Sequence, residues 1–188
     1  MSTIDGVSGG WTYERYYALD DEQRYEVING ELLMVPGPGT FHQSIVGALF
    51  IRLTRHAEES GAGTVFVSPL DVVLDDINVV QPDVLFIRND HLEIIDPRAI
   101  RGVPDLVVEI LSPGTRRRDR MVKAQLYARA GVPEYWIVDP PARCIEVFSL
   151  GETGYALHSS ATGGGVASSK ALDGFEVVVN EVMGTMQM

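Results

Sequence analysis

The sequence predicts a mixed α/β fold, a central sheet with helices packed on it. Three observations predict it. Two segments, 40–60 and 115–130, carry apolar residues at helical spacing, and around them lie runs such as VVQPDVLFI, PDLVVEIL and EYWIVDP that are apolar on both faces. No stretch is long and polar enough to act as a linker. With 188 residues, 45% of them hydrophobic, the chain suits one well-packed domain over 1–188, with a core at about 12–150 and further strands over 151–188.

The elements follow in order. Residues 12–23 (TYERYYALDDEQ) read as a short helix. RYEVINGELLMV reads as two strands joined by Asn29-Gly30, a dipeptide that tolerates the positive φ angles of a tight hairpin. PGPG at 36–39 breaks the chain. From Thr40 a helix is predicted, since Phe41, Ile45, Leu49 and Leu53 recur at fours, Thr40 and Gln43 have capping-box spacing, and GAG at 61–63 supplies a stop. Strands are predicted at 64–67, 70–74, 79–87 and 104–111. The helix over 115–130 would bury Val122, Leu126 and Ala130 and stop at Gly131, with Pro133 beyond. EYWIVDP is another buried strand with Trp136 in the core; RCIEVFSL and YALHSS form a hairpin around Gly151–Gly154. A Gly/Ser-rich loop at 160–169 and a strand in FEVVV close the chain.

Charge and cysteine content exclude several classes. Fifteen basic residues against 26 acidic ones leave a net charge of -11, without the global basic footprint of most nucleic-acid binders. RRRDR at 116–120, followed by Lys123, is the one dense basic cluster; Arg116 to Arg118 suit a phosphate-contacting rim, or equally a solvated helix start. A single Cys144 rules out a disulfide within one chain and a multi-cysteine zinc site. No signal peptide or membrane span is read, so a cytoplasmic location without membrane contact is expected. His56, His91 and His158 lack metal-ligand spacing with one another.

Glu109 is the residue that needs explaining. It interrupts the apolar run of PDLVVEIL, and a buried carboxylate costs several kcal/mol unless a cation, a hydrogen-bond network or a functional cleft receives it. Asp83, after Pro82 in the preceding run, could meet it if the two strands are neighbours. Two adjacent carboxylates suit a divalent cation, and Mg²⁺, which takes one or two protein carboxylates and keeps waters, fits best. The alternatives are a paired structural carboxylate, or a Glu109 at the edge of the sheet. Lys123, in the helix after the Glu109 strand, could bring an ammonium to the pair; Asp119 and Lys123 at i,i+4 could equally be a solvated ion pair. Asp105 and Asp139, at strand ends, could add to an acidic cluster, though strand-end aspartates commonly cap turns. Tyr127, one turn past Lys123, could pack on its stem or hydrogen-bond nearby.

Together QPDVLFI, PDLVVEILSPGT, DRMVKAQLYARAGVPEYWIVDP and RYEVINGELLMVPGPGTFHQSI resemble the Uma-two family of restriction endonucleases, over roughly residues 12–150. The resemblance implies a restriction-endonuclease-like fold of the PD-(D/E)xK superfamily and Mg²⁺-dependent hydrolysis of DNA phosphodiesters, with Mn²⁺ as a substitute. It implies that Asp83 and Glu109 bind the metal and that Lys123 completes the site. The usual lysine two positions after the second acid is replaced by Leu111. His42 and Gln43 match the family's HQ pair and would reach the metal's water shell or a phosphate; otherwise Gln43 caps the helix with Thr40 and His42 is a surface histidine. Glu26 and Glu31 fit the family's hairpin, though strand residues flanking an Asn-Gly turn are ordinarily exposed. DNA is the expected substrate and a homodimer the expected assembly. The competing reading is a nuclease fold without activity that serves as a binding or assembly module, and a third is a phosphoesterase for a small nucleotide.

Overall fold

In the computed structural model, which describes residues 10–21 and 23–184, the described strands form two large sheets and one two-stranded sheet. Glu22 of the expected N-terminal helix, and residues 1–9, on which the expected lack of a signal peptide depends, lie outside the described residues. Helix α1 is Tyr13–Tyr17; β1 (Tyr25–Ile28) and β2 (Glu31–Met34) form the hairpin, and α2 is Thr40–Ser60. Then come β3 (Gly63–Val67), β4 (Val72–Asp75), β5 (Asn78–Val80), β6 (Val84–Arg88), a 3-10 helix (Asn89–Ile94), β7 (Ile100–Arg101) and β8 (Leu106–Ile110). A π-helical stretch, Arg118–Lys123, runs into α3 (Ala124–Ala130). Strands β9 (Glu134–Asp139), β10 (Cys144–Gly151), β11 (Gly154–Thr162), β12 (Val166–Ser168) and β13 (Glu176–Val178) precede α4 (Val179–Met183).

The larger sheet has the order β11-β10-β9-β8-β6-β3, parallel only between β8 and β9. Its two faces separate by strict alternation. Val84, Phe86, Leu106, Val108, Ile110, Trp136 and Val138 meet Ile45, Leu49 and Leu53 of α2. Leu85, Ile87, Val107, Tyr135 and Ile137 point the other way, toward Leu126 and Tyr127 of α3. By the same parity Glu109 projects to the α3 side. Val84 pairs with Val108, so Asp83, one residue before the ladder, stands opposite Glu109 on that side. A mixed sheet flanked by helices is therefore what the sequence folds into, with a second sheet of order β2-β1-β5-β4-β7 beside it.

Several expected elements change, each for a local reason. The strand expected over 79–87 is two strands. Gln81-Pro82-Asp83 interrupts it because Pro82 has no N–H to give a ladder. Upstream, β5 joins the smaller sheet; downstream, β6 joins the larger one, and Asp83 is left at the seam. The capping box at Thr40 and Gln43 does not form. Gly39, with extended backbone, is the N-cap and no side chain caps the helix, while Gln43 only donates its backbone N–H to the Gly39 carbonyl. The stop at Gly61 is as expected, in the left-handed region at φ 63. In the hairpin turn Asn29 and Gly30 have φ 52 and 77.

The helix expected over 115–130 forms with a different buried stripe. Val122 is 40% exposed, and Asp119, Lys123, Leu126 and Tyr127 are the buried residues. The buried positions keep ordinary helical spacing, i, i+4, i+7 and i+8, so the stripe starts one residue away from the expected one and polar side chains lie where Val122 was expected. At the C-terminal end the loop expected over 160–169 is largely ordered as the end of β11 and as β12, which pairs with β13, and FEVVV turns helical at Val179. Among the described residues no helix is long and apolar enough to cross a membrane.

Glycine substitutions test this packing. A Cβ on Gly63 would stand 2.1 Å from the Ile87 carbonyl oxygen and 2.8 Å from Arg88 Cα, whereas one on Gly47, within α2, meets nothing within 4 Å. In urea unfolding, Gly63→Ala is expected to lose about 1–3 kcal/mol or more. Gly47→Ala should gain about 0.5–1 kcal/mol by helix propensity.

Candidate active site

The seam between the sheets gathers the charged residues. The Asp83 N–H bonds to the Val108 carbonyl at 3.1 Å, fixing the residue against β8. Its Oδ2 accepts the Ile110 N–H at 2.7 Å and lies 3.2 Å from His42 Nε2 at the start of α2. Glu109 Oε1 accepts from Lys123 Nζ and from the Tyr127 hydroxyl, both at 2.7 Å. Lys123 is 2% exposed and its Nζ is also 2.7 Å from Glu26 Oε1 and 4.0 Å from Asp119 Oδ1. Glu26 Oε1 accepts the Gln81 N–H at 3.0 Å, and its Oε2 lies 3.3 Å from Arg118 Nη2. Arg118 in turn approaches Asp119 at 3.7 Å.

These side chains line a partly open cavity of about 100 Å³ that is walled on one side by Val35–Gly39 and bounded by Ser112 and Thr115. A larger depression of about 710 Å³ between α3 and the β10–β11 turn, lined by Met121, Ala124 and Leu150, holds none of the candidate acids; the chemistry selects the smaller cavity.

Burial and crowding set the charge states. Burial opposes the Lys123 charge, yet Glu109, Glu26 and Asp119 outweigh it and hold the ammonium above its ordinary range. Burial also raises Glu26, but Lys123, Arg118 and the Gln81 N–H bring it below the usual carboxylate value. Glu109 is pushed up to about 8: burial raises it, Lys123 pulls it down, and Asp119, Asp83 and Glu26 add repulsion. Asp119 is raised mainly by burial, against the pull of Lys123. For His42, burial works downward, while the hydrogen bond and charge of Asp83 carry it above its ordinary value. Four carboxylates thus share one small space with a single fully buried ammonium.

A buried carboxylate with a purely structural role looks different, as Glu134 shows. Its Oε1 accepts from Trp136 Nε1 and Ser169, and its Oε2 accepts the backbone N–H groups of Lys170 and Ala171. In Glu109 and Asp83 only one oxygen of each is so occupied. Glu109 Oε2 and Asp83 Oδ1 receive no donor among the described residues, and both residues line the cavity. This donor set fits a hard cation that takes two protein carboxylates and keeps its waters. No group of three or more His, Cys, Asp or Glu side chains suited to a metal occurs among the described residues, so any ion held here depends on water or substrate oxygens.

The other expected residues fall on both sides of this line. His42 reaches the cavity, whereas Gln43 is exposed and does not line it. Glu26, expected to be exposed, is 0% exposed inside the site, whereas Glu31 is exposed. The burial of β1 beneath the π segment, which no local pattern announces, makes the difference. Asp119, at i,i+4 from Lys123, suited a solvated ion pair, and the pair is buried instead. Arg118, expected in a phosphate-contacting rim or equally in a solvated helix start, lies beside Glu26 and Asp119. Asp105 stays outside, accepting the Arg88 N–H at 2.9 Å and the His91 ring at 2.9 Å. Asp139 stays outside as well, held by Arg116 and Arg120. The expected phosphate rim therefore divides: Arg116 is tied to Asp139, Arg118 is drawn into the site, and Arg117 is exposed, with no partner among the described residues.

A mixed sheet flanked by helices, with paired acids at the seam of two strands, places the chain in the restriction-endonuclease-like class. The family described as "Uma2: Putative restriction endonuclease" matches residues 12–180, and the chain belongs to it. Among solved structures it is similar to a crystal structure of a putative nuclease belonging to DUF820 from Anabaena variabilis, at 16% identity and a TM-score of 0.75, covering 92% of this chain and 97% of that one. At that identity the likeness establishes the fold. No curated protein matches the chain.

The raised Glu109 gives a pH signature. An acid whose folded pKa lies above its ordinary 4.5 contributes stability below that value and loses it as pH rises toward about 8. In metal-free buffer the wild type is expected to lose stability across that window, and Glu109→Gln should flatten the loss. Urea midpoints at pH 5 and pH 8.5 measure it; equal slopes for the two proteins would contradict the assignment.

Proposed function

We propose that the protein is a Mg²⁺-dependent endonuclease that hydrolyses DNA phosphodiester bonds, with Asp83 and Glu109 holding the ion and Lys123 completing the site. One observation carries the reading: Asp83 and Glu109 stand opposite each other on one side of the sheet, each with an oxygen left over, beside an ammonium 2.7 Å from Glu109. Membership of a restriction-endonuclease family supports nucleic acid as the substrate.

Bound there, Mg²⁺ would supply charge neutralisation at the phosphate and a water acidic enough to attack it. The chain's own residues do the rest. The Ile110 N–H and His42 hold Asp83 Oδ2, which fixes the orientation of that carboxylate. Lys123 supplies positive charge where negative charge grows on the phosphate oxygens, a role that a residue at the apolar, 3% exposed Leu111 could not fill. Water oxygen bonds to phosphorus and releases a proton to solvent, one P–O bond breaks, and the leaving oxygen takes up a proton from solvent. Glu26 keeps Lys123 protonated and directed toward Glu109. Mn²⁺ should substitute for Mg²⁺, since the donor set consists of oxygens.

Incubation with supercoiled plasmid and Mg²⁺ or Mn²⁺ is expected to give nicked circles, and EDTA should prevent it. Asp83→Ala and Glu109→Ala should abolish nicking, and Lys123→Met should slow it by about 10²–10³-fold. Gln43→Ala, at an exposed position, should nick like the wild type. Thermal stabilisation by Mg²⁺ without nicking at any ionic strength would instead support a binding or assembly module, the reading that the apolar Leu111 favours. Turnover of free nucleotides but not of DNA would point to a small-molecule phosphoesterase.

A further inference from the structure

We propose that Tyr127 is a positioning residue that determines which oxygen of Glu109 is offered to the metal, an inference resting on the proposed role of Glu109. Its hydroxyl donates to Glu109 Oε1 at 2.7 Å, the same oxygen that Lys123 holds at 2.7 Å. Lys123 and Tyr127 are four residues apart, so successive turns of one helix close on a single carboxylate oxygen from two directions. Oε1 is thereby committed to the protein, and Oε2 is the oxygen left to the cavity.

Lys123 alone could not impose this arrangement. Its ammonium is shared with Glu26 Oε1 at the same 2.7 Å, and a single rotatable point charge leaves a carboxylate free to present either oxygen. The phenol differs. Tyr127 is 0% exposed, its ring lies 5.2 Å from that of Tyr135, and Tyr135 lies 5.7 Å from Tyr155. A ring held in that row fixes where its hydroxyl oxygen stands, 2.7 Å from Oε1. Outer partners of this kind ordinarily govern metal affinity about 10–100-fold.

The test uses Tyr127→Phe, which keeps the ring and removes only the donor, with Tyr135→Phe as the comparison one ring away from Glu109. Thermal melts of each protein without DNA are titrated with MgCl₂, and the Mg²⁺ dependence of plasmid nicking is followed in parallel. Tyr127→Phe is expected to melt within about 4 °C of the wild type in EDTA. Its Mg²⁺ midpoint, in both melting and nicking, should rise at least about tenfold. Tyr135→Phe should keep the wild-type midpoint. An unchanged midpoint in Tyr127→Phe, or a loss of melting temperature in EDTA with no displacement of the midpoint, would make Tyr127 a packing residue only and overturn the inference. A wild type that shows no Mg²⁺ response at all would remove the metal reading itself, and this inference with it.

Discussion

One buried ammonium organises this molecule. Lys123, inside the protein and within 4.0 Å of three carboxylates, ties a helix on one face of the larger sheet to the Glu109 strand and, through Glu26, to the smaller sheet. Burying an ion costs several kcal/mol, and the cost is offset only where partners are close and well oriented. Every neighbouring feature meets that condition. Glu26 is steadied by the Gln81 N–H and Arg118, Glu109 by Tyr127, and Asp83 by the Ile110 N–H and His42. The balance remains incomplete on the acidic side, which is what distinguishes this cluster from Glu134, whose four donors leave nothing for a further ligand.

The strength of this arrangement comes from where the chain changes sheets. Pro82 ends the ladder of the smaller sheet, and the next residue begins the approach to the larger one. Gln81 serves both sides: its backbone holds Glu26, and its side chain bridges Arg24 at 3.0 Å and Asp71 at 2.8 Å. The proposed metal acids are thus set by backbone pairing, with few flexible side chains between sheet and site.

Much of this was legible in the residues. Glu109 declared itself because a carboxylate in an otherwise apolar strand requires a reason, and Asp83 because it follows a proline in a neighbouring run. The hairpin at Asn29-Gly30 and the helix stop at Gly61 follow from backbone chemistry that only a few residue types satisfy. What stayed hidden depends on long-range packing. Nothing near Glu26 indicates that β1 will be covered by the helix at 118–123, so a strand flanking a turn reads as exposed. Asp119 was hidden for the same reason, and the helical periodicity that selected Val122 is met equally well by Asp119 and Lys123, whose charge argued against burial. Gln43 shows the converse: its spacing from Thr40 suits a cap, but Gly39 takes that place and the side chain meets solvent.

The π-helical turn at Arg118–Lys123 makes the site sensitive to length as well as to residue identity. A π turn takes up one residue more than an α turn, so removing a single residue there would let the segment wind regularly while Leu126 and Tyr127 kept their place against the sheet. The change would fall on the cavity wall, where Arg118, Asp119 and Lys123 stand.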